Sequence, residues 1–373
     1  MLAVAMGVGR FAYTPLLPVM ERDAGLSVAA AGALAFSNLL GYLVGAALAM
    51  MPFTHRRRLV ITRWAIAGVV VTTALMATAS PFWLPLRFLT GVSSGFVLIF
   101  TSSIVLERAA HRNQPAWPPL LFSGVGIGIA FSGVAVPLFV TVGGSRAAWI
   151  GIAICSGLAT VLTFRWFVDD APATVRVPSP VGQRLPKQRD TYAWLAAVYT
   201  LEAFAYIVPA TFLVAIVSRV SWIGRFAALS WVLVGLAASA ATFLWIRAGA
   251  RLGKARALAL ALAIQAAGIL APLVSHGAAA VVLAAVTLGG TFVAITLFAA
   301  GLARDMFPHE TSAAVSRLTV LYGVGQMLGP PLATQLALRS GSYGVALLCA
   351  GTAAGVAAVT TLLTVREPRR ANS

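Results

Sequence analysis

The chain has 373 residues, of which 60% are hydrophobic and 10% charged, with a mean hydropathy of +0.90; a soluble domain carries about 25% charged residues, so no separate soluble domain is expected. The net charge of +17 arises from 27 basic and 10 acidic residues, but they cluster between long apolar runs, which argues against a nucleic-acid surface. Cys155 and Cys349 fall in separate apolar runs with no CxxC pair, so neither zinc nor a redox dithiol is indicated, and both read as small buried packing residues.

Twelve apolar runs are long enough to cross a hydrocarbon core of about 30 Å as helices. In chain order they cover 2–20, 28–53, 59–79, 83–106, 117–142, 148–168, 192–218, 226–246, 257–275, 278–301, 311–337 and 342–365. The expected fold is therefore an all-α polytopic membrane protein. The first run has no basic flank before it and leads into Pro15 and Pro18, so it is not read as a signal peptide. Met1 stands at its very edge, which leaves open a helix start upstream.

Span 1 contains Arg10, about ten residues from its outer end, or roughly 15 Å at helical rise. Span 2 carries Asn38 and Tyr42 between Gly41 and Gly45. Span 4 begins with Arg87, about one turn from the outer end, followed by Gly91 and Gly95, a small-xxx-small face suited to close helix approach. Arg87 is read either as a functional buried charge or as a side chain that snorkels to the interface. Gly91-Val92-Ser93-Ser94-Gly95 matches the serine-hydrolase pattern, but it lies mid-helix with no strand-to-helix elbow, and the four histidines fall in or beside loops. An enzyme is not expected. The glycine-rich stretches Gly124–Gly133 and Gly323–Gly329 follow no strand and read as tight helix packing rather than dinucleotide binding.

Residues 169–191 interrupt the apolar pattern with Asp169, Asp170, four prolines and four basic residues, and read as an exposed linker. It divides the chain into 1–168 and 192–373, with six spans each. The two parts repeat: Phe11-Ala12-Tyr13 matches Phe204-Ala205-Tyr206, and Phe96-Val97-x-Ile99 matches Phe292-Val293-x-Ile295. Gly124-Val125-Gly126 matches Gly323-Val324-Gly325, and Cys155-x-Gly157 matches Cys349-x-Gly351, all at offsets of 193 to 199. An even number of spans per repeat makes the repeats parallel, related by an axis along the membrane normal. With alternating spans, 20 basic residues fall on one side and 5 on the other (Arg22, Arg146, Arg219, Arg225 and Arg339). That asymmetry places both termini and the linker in the cytoplasm.

Span 7 contains Glu202, about ten residues deep from the opposite side, and then Tyr206, Pro209 and Thr211. A carboxylate at that depth costs roughly 2.5–3.5 kcal/mol on insertion scales. It is the only acidic residue deep inside any span. Arg10 and Glu202 thus lie at similar depth on helices related by the repeat. They read either as a substrate or proton site at the midplane or as a structural ion pair. Span 11 adds Tyr322 and Gln326.

Gly9-Arg10-Phe11-Ala12-Tyr13-Thr14-Pro15-Leu16-Leu17-Pro18, Asn38-x-x-Gly41-Tyr42-x-x-Gly45, Tyr206-Ile207-Val208-Pro209-Ala210-Thr211-Phe212 and Gly323-x-Gly325-Gln326-x-x-Gly329-Pro330 together resemble the YbfB/YjiJ-type branch of the major facilitator superfamily. The resemblance spans nearly the whole chain. It implies two pseudo-symmetric six-helix bundles, alternating access and secondary transport, and it supplies no substrate. Arg87-x-x-x-Gly91-x-x-x-Gly95 looks like the superfamily's fourth-span motif, whose arginine is linked to proton coupling. Arg251-Leu252-Gly253-Lys254-Ala255-Arg256 looks like a remnant of the cytoplasmic gating motif without its usual acidic residue.

The expectation is a proton-coupled secondary transporter of a small solute in the cytoplasmic membrane, with membrane lipid around it. Glu202 and Arg87 serve coupling, and Arg10, Tyr13, Asn38, Tyr42, Tyr206, Thr211, Tyr322 and Gln326 line a central cavity. No metal, cofactor or nucleic-acid partner is expected. No ATP-binding loop is visible. The rival reading is a membrane sensor or scaffold that keeps a transporter fold.

Overall fold

The computed structural model describes residues 1–55, 57–78, 80–114, 116–164, 186–220, 224–275, 277–308 and 310–365. Among the described residues every regular element is helical. A π-helical turn, Ala3–Val8, leads into α1 (Tyr13–Ala24). Then follow α2 (Val28–Ala49), the single turn α3 (Pro52–His55), α4 (Arg58–Leu75), α5 (Trp83–His111) and α6 (Trp117–Phe164). After the linker come α7 (Pro186–Ser218), α8 (Ala227–Leu252), α9 (Lys254–Val274), α10 (Ala278–Met306), α11 (Thr311–Ser340) and α12 (Gly344–Thr364). The expected linker lies largely outside the described residues, and α7 begins six residues before the expected 192.

Ten helices among the described residues are long and apolar enough to cross a membrane. Two of the twelve expected runs account for the difference. Spans 5 and 6 form one continuous element, α6, of 48 residues, broken at Gly143 and Gly144. Gly144 has φ 64° and ψ −151°, a backbone state open essentially to glycine alone. The eleventh run is present as the 30-residue α11, but its polar content (Ser316, Arg317, Thr319, Gln326, Thr334, Gln335 and Arg339) lowers its apolar character.

Glycines set how closely the helices approach. Gly41 and Gly45 of α2 face Gly91 and Gly95 of α5, so that each Cα abuts the other helix's backbone. A Cβ on Gly95 would sit 2.7 Å from the Tyr42 carbonyl oxygen. Gly126 and Gly235 make the same kind of contact between α6 and α8, where Trp231 Nε1 also donates to Ser132 Oγ at 3.2 Å. Gly32 meets Thr334 between α2 and α11, and Thr14 Oγ1 donates to the Ala210 carbonyl at 2.6 Å between α1 and α7. Helices before the linker therefore meet helices after it along three seams.

Two ion pairs occupy corresponding places. Arg58, at the start of α4, bonds Glu107 near the end of α5 at 2.9 Å, and Lys254, at the start of α9, bonds Asp305 near the end of α10 at 2.5 Å. The cations are 196 positions apart and the anions 198, within the offsets of the sequence repeat. Cysteine burial is a correction: Cys155 is half-buried and Cys349 is exposed on the outer surface of its helix. An apolar membrane-facing surface accepts a thiol as readily as a core does. The same surface displays large side chains such as Leu138, Val142, Leu158 and Leu162 on α6, as lipid contact requires.

Candidate functional site at the centre of the helices

The site begins with a break in the first helix. Gly9 and Phe11 donate to the carbonyls of Val4 and Met6, five residues back, at 2.8 and 3.2 Å. That widened turn gives way to α1, where the Thr14 N–H donates to the Phe11 carbonyl at 3.2 Å and so passes over the Arg10 carbonyl. Arg87 fills the gap. Its Nη1 donates to the Gly9 carbonyl at 3.0 Å and its Nη2 to the Arg10 carbonyl at 3.4 Å. The guanidinium lies 4.9 Å from the centre of the Tyr13 ring. Tyr13 in turn donates to the Ala31 carbonyl at 3.0 Å, and Asn38 Nδ2 to the Arg87 carbonyl at 3.0 Å. Arg87 is only 3% exposed, so it does not snorkel, although it begins within about one turn of the helix end. Its reach is spent inward on the carbonyls at the break.

Arg10 points from the same break toward the second half of the chain. Its Nη2 donates to Gln326 Oε1 at 2.6 Å and to Tyr206 Oη at 3.3 Å. Gln326 Nε2 donates to the same Tyr206 oxygen at 2.6 Å, closing a triangle. The Tyr42 ring covers the guanidinium at 4.6 Å. Three helices after the break thus converge on one cation: α2, α7 and α11.

Glu202 is fully buried on α7. Gln265 Nε2, on α9, donates to its Oε1 at 3.2 Å, and Thr291 Oγ1, on α10, donates to Gln265 Oε1 at 2.8 Å. The threonine fixes which way the amide faces. Glu202 Oε2 makes no hydrogen bond of good geometry, but the Tyr322 hydroxyl approaches the carboxyl group as a second donor, and Tyr199 lies within electrostatic reach. Among the described residues no cation lies within 4.0 Å of this carboxyl group, so Arg10 and Glu202 are not an ion pair here. An aromatic column separates them. Phe292 stacks on Tyr206 at 5.7 Å, Tyr206 on Tyr322 at 5.9 Å, and Tyr322 on Tyr199 at 4.2 Å.

The structure therefore sorts the expected residues into three groups. Arg10, Tyr42, Tyr206 and Gln326 form one cluster, Glu202 and Tyr322 a second, and Arg87, Tyr13 and Asn38 a third around the helix break. Thr211 is 6% exposed and shares a small cavity with Arg10. Sequence reasoning missed Gln265, Thr291, Tyr199 and Phe292. Gln265 carried a signal: it is a lone amide near the middle of an otherwise apolar span, where an unpaired polar group is costly.

Gln265→Leu is expected to lower stability by about 1–3 kcal/mol, because Glu202 Oε1 loses its donor in a fully buried site. Thr291 keeps its second bond, to the Thr287 carbonyl. Unfolding midpoints in detergent for Gln265→Leu, Glu202→Gln and the double variant check this. Additive effects would show that the Gln265–Glu202 contact carries no energy.

A family model described as "Uncharacterised MFS-type transporter YbfB" matches residues 2–362. No curated protein sequence matches the chain. Among solved structures, a single-residue variant of the nucleoside transporter NupG superposes with a TM-score of 0.75 at 12% identity, covering 98% of this chain and 100% of that one. At that identity the likeness is one of fold.

Proposed function

We propose, from the premise that the chain belongs to the family of MFS-type transporters described by YbfB, that it carries a small solute across the cytoplasmic membrane by alternating access, driven by protons through Glu202. The observation that carries this reading is the setting of Glu202: a fully buried carboxyl group that accepts from a neutral amide, Gln265, and among the described residues has no cation within 4.0 Å. A structural carboxylate in a membrane core is normally held by a cation, and the available arginine, Arg10, is engaged with Tyr206 and Gln326 instead. A group that gains and loses a proton as the protein changes shape has reason to be kept apart from a permanent counter-ion. The central side chains are polar as well as aromatic, which favours transport over a sensor or scaffold with an apolar filling.

Alternating access would use the pseudo-symmetry. Residues 1–168 and 192–373 form two six-helix bundles, with the 169–191 linker and both termini in the cytoplasm. Spans 5 and 6 are the two limbs of α6 on either side of Gly143 and Gly144. The seams at Thr14–Ala210 and Gly32–Thr334 then close the outer side, where Glu21 and Arg219 also approach to 3.5 Å. Arg87 would couple the state of the helix break to α5.

An uptake screen in proteoliposomes with an imposed pH gradient tests the function directly. Absence of gradient-driven uptake for every solute class would remove it. The topology has its own test. Single cysteines at Gln114 and Ala24, both exposed positions, are expected to react with an impermeant maleimide from opposite faces, Gln114 from the cytoplasmic face. Labelling from the same face would overturn the orientation.

A further inference from the structure

Two buried guanidiniums at the centre of the helices, Arg10 and Arg87, have no anion of their own among the described residues. Arg10 is 6% and Arg87 3% exposed, and each lies within electrostatic reach of the other. Among the described residues neither has a carboxylate within 4.0 Å. Their bonds go to neutral groups: carbonyls for Arg87, an amide and a phenol for Arg10. Each also retains a buried Nε–H with no acceptor. Both side chains line one small cavity, whose wall mixes polar Asn38, Thr14 and Thr211 with apolar Phe11 and Ile207.

Two like charges in a low-dielectric interior repel each other, and each unbonded N–H adds a further cost. A protein bears such a cost where a ligand supplies what is missing. A guanidinium offers a planar fork of donors that fits a carboxylate through two parallel bonds, which a point cation does not. The mixed wall suits a charged head on a small apolar body.

We propose that the transported solute is a small organic anion bearing a carboxylate, recognised between Arg10 and Arg87. This deepens the transporter reading and rests on it. In the present conformation the cavity offers only about 20 Å³, room for roughly one water. A solute of several heavy atoms therefore needs the packing around Arg10 and Arg87 to open, and the α1–α7 contact at Thr14 and Ala210 is the seam that would part on the outer side. An anion binding there would bridge the helix break before α1 to α5 while weakening the pull of Arg10 on Tyr206 and Gln326. That places substrate binding in mechanical contact with α7, the helix that carries Glu202.

The test is binding, measured without transport. Purified protein in detergent is titrated with sodium benzoate, succinate monoanion and lactate, each against its neutral amide, at constant ionic strength, following the unfolding midpoint and tryptophan fluorescence. At least one carboxylate should raise the midpoint saturably while its amide does not. Arg10→Gln should weaken that binding tenfold or more. Arg10→Lys, which retains charge but loses the fork, should fall between, and it guards against a folding defect in the glutamine variant. Equal effects of acid and amide, no effect of any of the three anions, or undiminished binding in folded Arg10→Gln would each overturn the proposal. Anion binding with no gradient-driven uptake would leave the site standing and remove the transport reading. Proton-driven uptake of neutral solutes alone would do the reverse.

Discussion

Glu202→Gln is expected to abolish accumulation driven by a pH gradient while leaving solute exchange across the membrane measurable. Glutamine has nearly the shape of glutamic acid and can still accept the Gln265 bond through its own carbonyl oxygen. It cannot take up or release a proton in the working range. A one-unit gradient supplies about 1.4 kcal/mol for each proton moved, equivalent to about tenfold accumulation for one proton per solute. The wild-type protein should approach that ratio in proteoliposomes, and the variant should equilibrate near unity. Counterflow, in which labelled solute enters against unlabelled solute inside, needs no proton and should persist. A variant that still concentrates solute tenfold would show that coupling lies elsewhere, with Arg87 the next residue to change.

The largest structural effect is expected at the α2–α5 seam. Gly91→Val would place a branched side chain against the backbone of Asn38 and Tyr42, where even a Cβ has no room: it would lie 2.7 Å from the Tyr42 amide nitrogen. Neither helix can yield locally, because Gly41, Gly45 and Gly95 press the same two backbones together along the rest of the seam. Overpacking typically costs 1–3 kcal/mol, and more where backbone must move, so a loss of about 3 kcal/mol or greater is expected. Asn38 would also be displaced from the Arg87 carbonyl, so the damage reaches the functional centre. Gly355→Ala on α12, where an added methyl meets nothing within 4 Å, is the control and should be neutral or slightly stabilising. Expression level, monodispersity and unfolding midpoint distinguish the two. Equal behaviour would mean that α2 and α5 are not in close contact.

Much of this protein can be read without coordinates. The oily runs fix their own conformation, because a backbone in hydrocarbon must satisfy its hydrogen bonds internally, and a helix does so locally. The helices, an interruption between residues 142 and 148, and the role of Gly91 and Gly95 follow from composition and spacing, whereas the union of the flanking runs into α6 across Gly143 and Gly144 does not. The burial of Arg10 and Glu202 follows too, since charges inside such runs have few alternatives to the interior. The repeat in sequence even anticipates the matching pairs Arg58–Glu107 and Lys254–Asp305, although no reading of short apolar words would have selected those four residues.

Partnership is a different matter. Depth along a helix is a one-dimensional quantity, and it placed Arg10 beside Glu202. Facing direction depends on how each helix is rotated about its own axis, which is set by close packing against several neighbours at once. Those rotations send Arg10 to Gln326 and Tyr206, turn Glu202 toward Gln265 on a helix that had drawn no attention, and bend Arg87 back onto the carbonyls of Gly9 and Arg10. The sequence by itself determined which residues must be inside the membrane, because burial is dictated by the solvent each residue can tolerate. Only the tertiary structure decided which of them touch, because contact between residues up to 316 positions apart, as for Arg10 and Gln326, is a property of the packed whole.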